Sequence, residues 1–221
     1  MSAPFYIVPG DAMLNEVPKP AVAWREAMIL GPAKKEIFSR AFNEARAAWL
    51  GEKLPEYETR VVEYLNLKAL VAQENLLLVF GREAFCQINL LTLLCALSQS
   101  GRKAPVVIRL IDEFSGNVTL REFAFVEWSL AEEWYQTLLI EGRPFSSSPL
   151  LWPELKKAAV LFLLLREEQN EITDIIEEHA DMKETALVSL LLKWDRDFGL
   201  GDEYFLRLVR KHRDYLRRNK A

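Results

Sequence analysis

The chain is short of the residues that usually carry chemistry. It has two histidines and two cysteines among 221 residues, and none stands at the ligand spacing of a zinc site. His179 and His212 fall on different predicted helices and read as helix-surface or core-edge residues. Its nine glycines form no phosphate loop of either common type; Gly10 and Gly81 each stand alone after a predicted strand. A serine-nucleophile elbow, Gly-x-Ser-x-Gly, is missing. Long apolar runs are missing too. The longest aliphatic stretch, Ala158 to Leu165, lies between Lys156-Lys157 and Arg166 and falls far short of the roughly 18 residues of a membrane span. It reads as a buried helix face. Met1-Ser2-Ala3-Pro4 lacks the basic segment and apolar run of a secretory signal. Cys86 and Cys95 lie nine residues apart on one predicted helix, about 900° and about 13.5 Å, which is too far for a disulfide. The expectation is a cytoplasmic protein with reduced, buried thiols, no membrane segment, no metal site and no cofactor.

A strong charge of one sign is also missing. The formal net charge is -4, which gives no overall pull toward nucleic acid or anionic membrane. The charge is unevenly placed, however. Glu167, Glu168, Glu171, Asp174, Glu177, Glu178, Asp181 and Glu184 face only Arg166 and Lys183 within 166–184. Arg207, Arg210, Lys211, Arg213, Arg217, Arg218 and Lys220 face only Asp214 within 207–220. The acidic stretch reads as a solvated helix face. The basic one suits a helix C-terminus, with nucleic acid or an acidic partner as the alternative. Pairing of the two stretches within one chain or across a homodimer is expected in place of nucleic-acid binding.

Phe5-Tyr6-Ile7-Val8, stopped by Pro9-Gly10, predicts a first strand, and Ala21 to Trp24 a weak second. Leu76 to Phe80 and Val106 to Ile111 read as strands buried on both faces. Helices are expected at 34–50, where Ile37, Phe38, Ala41, Phe42, Ala45, Ala48 and Trp49 recur at helical spacing, and at 56–70. The segment 83–97 is apolar nearly all round and reads as a core helix. Further helices are predicted at 129–141, 149–168, 171–180, 183–197 and 202–217, since the strand signal disappears after Trp128. Residues 143–149 are the best linker. The fold class is therefore α/β. A small, mostly parallel sheet with flanking helices spans 1–142, and an all-helical C-terminal part spans 149–221. In the last helix Phe205, Leu208, Val209, His212 and Leu216 form one apolar stripe, expected to pack on 158–165 with Asp202 as N-cap.

Open α/β sheets bind ligands beyond the carboxyl ends of their strands. That rule points to Gly10-Asp11, Arg82-Glu83 and Asp112-Glu113. Asp11, Glu83 and Asp112 converge there in this reading, with Arg82 and Arg25 as counter-charges. The bland alternative has Asp11 capping a helical turn and Glu83 sitting in a helix's first turn.

Gly10-Asp11, Trp24-Arg25-Glu26, Gly31-Pro32, Glu83 with Gln87, and Phe198-Gly199-Leu200-Gly201-Asp202 together resemble the bacterial family catalogued as domain of unknown function 1835. The resemblance covers nearly the whole chain. It implies a cytoplasmic bacterial protein with an N-terminal α/β domain and a helical C-terminal part, and it supplies no function. The chain departs from it where relatives carry Trp-Arg-Asp, His-Glu and Glu-His-Asp; here stand Trp24-Arg25-Glu26, Ile29-Leu30 and Gly81-Arg82-Glu83. Loss of those histidines lowers the expectation of acid–base or metal chemistry. The leading expectation is a non-catalytic ligand-binding or regulatory protein, with Asp11, Trp24, Arg25, Glu26, Arg82, Glu83 and Gln87 as candidates for a small anionic ligand. The alternatives are an enzyme on a phosphorylated or nucleotide-like substrate, with paired carboxylates holding a divalent cation, and nucleic-acid binding through the C-terminal helices.

Overall fold

The computed structural model describes residues 3–112, 115–124, 127–146 and 148–219; Met1, Ser2, Glu113 and Lys220, named above, and residue 147 of the predicted linker lie outside them. Five strands form one sheet in the order β2-β1-β3-β4-β5. They are β1 (Phe5–Val8), β2 (Ala21–Ala23), β3 (Leu76–Gly81), β4 (Val106–Ile111) and β5 (Val118–Phe123). The first four run parallel and β5 returns antiparallel to β4. The α/β class, the mostly parallel sheet and the helical C-terminal part are therefore as the sequence predicts. β5 is an addition that the sequence reading misses. Its residues alternate poorly because five of the six are exposed or half-buried, so no apolar period of two marks it.

β4 also differs from its expected burial on both faces. Val106, Ile108 and Leu110 enter the core while Val107 is exposed. Helices cover that side of the sheet. On the other side Val8, Ala23 and Val79 are covered by Met13, Leu14, Val17 and Tyr64. That cover lies over β1–β3 and leaves Val107 in the open.

The helices are α1 (Arg40–Leu50), α2 (Leu54–Tyr57, continued as a π-helix over Glu58–Glu63), α3 (Leu67–Val71), α4 (Ala84–Gln99), α5 (Trp128–Tyr135, continued as a π-helix over Gln136–Ile140), α6 (Pro153–Leu164), α7 (Glu171–Glu178), α8 (Glu184–Trp194) and α9 (Asp202–Asn219). α4 is buried along nearly its whole length, including both cysteines, which are free thiols. α1 starts six residues later than expected. Ser39 caps it, accepting from the Phe42 N–H, and Gln99 holds the preceding segment through the Ile37 N–H and the Lys35 carbonyl. Its buried face is also rotated. Phe42, Asn43, Arg46 and Ala47 point inward, while Ala41 and Ala48 are exposed. The predicted helix 56–70 is broken at Asn66, which adopts φ 49° and caps α3 through its side chain.

The apolar stripe of α9 is buried at Phe205, Val209 and His212, but its main partners are α8 and α7 in place of the expected 158–165 face. α6 lies against α4. Gly201 accepts the Tyr204 and Phe205 N–H groups, so Gly201 holds the cap position and Asp202 is the first residue of the helix. The basic and acidic stretches meet within the chain. Arg210 pairs with Glu184, His212 Nε2 lies 2.9 Å from Glu177, and Arg213 donates to the carbonyls of Ala180 and Met182. Among the described residues no helix is long and apolar enough to cross a membrane.

Cap geometry sets the order of stabilities expected from alanine substitution. Asn170 forms a full capping box with Thr173 at the start of α7, so Asn170→Ala costs about 1 kcal/mol. Asp202 accepts only from the adjacent Glu203 N–H, so Asp202→Ala is expected to cost a few tenths at most. Urea unfolding of the two variants measures the difference.

Candidate functional site

From β1 the chain goes outward to β2, then returns across to β3, so the sheet order reverses between β1 and β3. The carboxyl ends of these two strands flank the crevice where open α/β sheets bind ligands. A cleft of about 500 Å³ opens there, lined by Pro9, Gly10, Asp11, Trp24, Arg25, Glu26, Arg60, Phe85 and Tyr204. Loops after β1 and β2 supply the first six residues. The π-helical continuation of α2 supplies Arg60, and the first turns of α4 and α9 supply Phe85 and Tyr204.

Four of the seven candidates, Asp11, Trp24, Arg25 and Glu26, reach this cleft. Arg25 donates from Nε and Nη2 to a single oxygen of Asp11, at 3.0 and 2.9 Å. Its guanidinium lies 3.4 Å above the Tyr64 ring. Arg25 and Arg60 are cross-linked, each donating from Nη1 to the other's carbonyl at 3.3 Å. Arg60 also forks onto Glu52. Asp11 does not cap its turn through its side chain; its carboxylate serves Arg25.

Glu26 faces the other way, into a buried polar knot. Both its side chain and that of Arg46 are fully buried, and the pair closes at 2.6 Å. The Ala27 N–H and the Tyr57 hydroxyl complete the coordination of the carboxylate. All five Arg46 N–H bonds are used. Nε and one Nη2 hydrogen go to Glu26, the other Nη2 hydrogen goes to the Ala27 carbonyl, and Nη1 serves the carbonyls of Leu30 and Pro32. Gly31 adopts φ +84°, and a Cβ there would stand 2.6 Å from both Arg46 and Trp49. Trp24-Arg25-Glu26 and Gly31-Pro32 are thus two ends of one loop wrapped around Arg46. Sequence reasoning missed Arg46 and Tyr57. A signal existed in Asn43 and Arg46, three residues apart on the face of α1 that also carries Phe42.

Arg82 and Glu83 open on a second cleft of about 470 Å³, with Asp112, Lys157, Asp195 and Asp197. The convergence expected from the strand-end rule therefore divides in two, with Asp11 and Arg25 at the first cleft and Arg82, Glu83 and Asp112 at the second. The Glu83 side chain is wedged between Gly81 and Gly199, where any added Cβ would come within 2.1 Å of it. Arg82 donates to the Thr119 hydroxyl at 2.6 Å. Gln87 is fully buried and structural, donating to the Gly81 carbonyl and accepting from Trp152 Nε1.

The amides at the start of α4 are engaged as well. Ala84 N–H and Phe85 N–H donate to the carbonyls of Asp197 and Phe198, both at 2.8 Å. Asp195 shapes that loop by accepting from the N–H groups of Asp197, Phe198 and Leu200. The Phe198-Gly199-Leu200-Gly201-Asp202 segment therefore plugs the helix N-terminus that would otherwise be the usual phosphate-binding position. Among the described residues no three His, Cys, Asp or Glu side chains gather as a metal site. Asp11, Glu26 and Glu83 form no carboxylate pair, because Glu26 is enclosed with Arg46 and Glu83 belongs to the other cleft.

Burial raises the Tyr57 phenol far above its ordinary pKa, with Glu26 adding to the effect; burial also raises Tyr135 and Tyr204. Below pH of about 10 folded and unfolded chains both keep these protons, so the stabilisation is complete there. Above it the unfolded chain releases them while the folded chain does not, and stability falls as pH rises. In an alkaline titration followed by tyrosinate absorbance, Tyr57 and Tyr135 of the six tyrosines are expected to ionise only as the protein unfolds, and Tyr204 later than an exposed phenol. Arg46→Met strands Glu26 and is expected to cost roughly 3–5 kcal/mol. Tyr57→Phe removes one hydrogen bond to a charged group and is expected to cost about 1.5–3 kcal/mol. Denaturant midpoints read both.

No protein-family model matches the chain, and neither a curated protein nor a solved structure shows significant similarity to it.

Proposed function

We propose that this is a non-catalytic protein that binds a small anionic ligand in the cleft at the carboxyl ends of β1 and β3. The observation that carries this reading is the state of Arg25. It presents two donors to one oxygen of Asp11, a residue whose side chain is 60% exposed while Arg25 is only 26% exposed. A fixed guanidinium holding a loose carboxylate is poised to exchange it for a ligand's carboxylate or phosphate. Arg60 adds a second guanidinium to the same wall. Phe85 and Tyr204 add aromatic surface suited to a planar group.

Two features favour binding over catalysis. The residues lining the cleft include no histidine, cysteine, serine or lysine. Burial raises the Tyr204 phenol above its ordinary value, so it stays protonated near neutral pH and is no general base. A regulatory role follows from where Tyr204 sits. It opens α9, which packs on α8 and α7, so a ligand touching Tyr204 acts on the C-terminal helices directly. The pairing of Arg210 and Arg213 with groups of 177–184 argues against a nucleic-acid surface on α9.

The test is calorimetric titration with pyrophosphate, ATP and a short dicarboxylate. At least one is expected to bind. Arg25→Ala is expected to weaken it tenfold or more while the far-ultraviolet spectrum stays unchanged, in line with about 1.5–3 kcal/mol for a charge-assisted bond. Asp11→Asn removes the competing charge and is expected to tighten binding. Binding that ignores both substitutions, or no binding to any of the three anions, would sink the proposal.

A further inference from the structure

β5 ends the sheet, and among the described residues no strand pairs with its outer edge. Directly opposed residues in an antiparallel pair alternate between those that exchange both main-chain hydrogen bonds and those that exchange none. The Asp112 N–H donates to the Asn117 carbonyl at 2.9 Å, one step beyond the Ile111–Val118 pair. Counting in twos from that bond, Thr119, Arg121 and Phe123 exchange bonds with β4. The N–H and C=O groups of Val118, Leu120 and Glu122 therefore point away from the sheet.

The side chains of these same residues emerge on the face opposite the core, where Leu120 is 66% and Val118 46% exposed beside Val107. Exposed edges are normally blunted by proline, charged side chains, inward-pointing charges or a bulge. β5 has no proline, lysine or bulge, its register with β4 is unbroken over six consecutive pairs, and its core-facing Arg121 is engaged by Glu127. An edge of this kind is complementary to one kind of occupant, another extended strand.

We propose that this occupant is β5 of a second copy of the chain, paired antiparallel about a two-fold axis, so that two five-stranded sheets become one continuous sheet. The strand is complementary to itself in only one register. Outward-pointing groups must meet outward-pointing groups. With the axis at Leu120, Leu120 faces its own copy, Val118 faces Glu122 of the copy, and Glu122 faces Val118. All three residues exchange their main-chain bonds, and no like charges are opposed. Moving the axis toward Phe123 sets Arg121 against Arg121, or Glu122 against Glu122, which is unfavourable. Moving it toward Val118 leaves Glu122 beyond the end of the opposing strand. The exposed Leu120 and Val118 side chains of the two copies then form one shared apolar strip across the axis.

Sedimentation velocity on the full chain tests this. A concentration-dependent dimer is expected. Leu120→Pro removes an N–H that β4 does not use, and proline is tolerated on a strand edge. The variant is expected to keep its circular dichroism and to lose the dimer. Leu120→Cys places two thiols across the axis with Cα atoms about 5.5 Å apart, inside disulfide range. It is expected to give a covalent dimer under mild oxidation, whereas Val118→Cys, opposed by Glu122, is not. The native thiols Cys86 and Cys95 are buried and do not interfere. A wild-type chain that stays monomeric up to its solubility limit would overturn the proposal. So would a dimer that survives Leu120→Pro, or one that Leu120→Cys cannot cross-link; the cysteine variant decides the matter if the proline variant does not fold.

Discussion

A fully buried guanidinium is costly to place unless every donor is used and a counter-charge is in contact, because desolvation is not recovered by a single ion pair. Arg46 meets that demand with groups from one loop, and meeting it dictates the path of the loop. Glu26 must face inward, the carbonyls of Ala27, Leu30 and Pro32 must converge, and Gly31 must take a left-handed turn over Trp49. Tyr57 brings α2 to the same carboxylate. Trp49 carries the connection further, since Arg207 of α9 lies 4.9 Å over its ring and donates to its carbonyl. The ends of β2, α1, α2 and α9 are held at one point.

That constraint also makes the cleft. Burial alternates along residues 24–26, with Trp24 and Glu26 buried and Arg25 partly exposed. Trp24 and Glu26 are drawn into the core by Phe38 and Arg46, and Arg25 between them is turned outward over Tyr64. The inward pull on its neighbours thus presents Arg25 to solvent in a defined orientation, where Asp11 meets it. The C-terminal loop completes the wall. By capping α4 with the carbonyls of Asp197 and Phe198, it takes away the helix amides as an anion site and brings Tyr204 to the rim. An anion entering this cleft would therefore meet side-chain guanidinium groups, whose planar fork matches carboxylate or phosphate.

The uneven charge along the chain has a comparable structural explanation. Glu177 and Glu184 meet His212 and Arg210 across the packed α7, α8 and α9. The charges of Arg210 and Glu184, 26 residues apart in sequence, meet at a helix interface. The Arg210–Glu184 pair is exposed and individually weak, so the apolar contacts of Phe205 and Val209 hold the helices and the polar pairs set their alignment.

Much of the fold was legible in the residues themselves. Period and punctuation mark β1 through β4, the mostly apolar α4 and the helical C-terminal part, because burial imposes its period directly on the apolar residues. The strand-end rule led to Asp11, with Arg25 as its counter-charge, since loops after strands are short and their position follows from topology. Three features needed the tertiary structure. β5 has an exposed face and an open edge, so packing leaves no apolar period in its sequence. Glu26 and Glu83 look alike as carboxylates near strand ends, yet one is sealed against Arg46 and the other wedged between Gly81 and Gly199. Arg46 reads as a surface residue of an amphipathic helix until distant carbonyls and a carboxylate surround it. The sequence by itself determined most of the helices and four of the five strands, because those choices rest on neighbours a few residues away. Which polar groups became structural and which were left for a ligand was decided only by contacts across the folded chain, since the energy of a charge depends on what surrounds it in space.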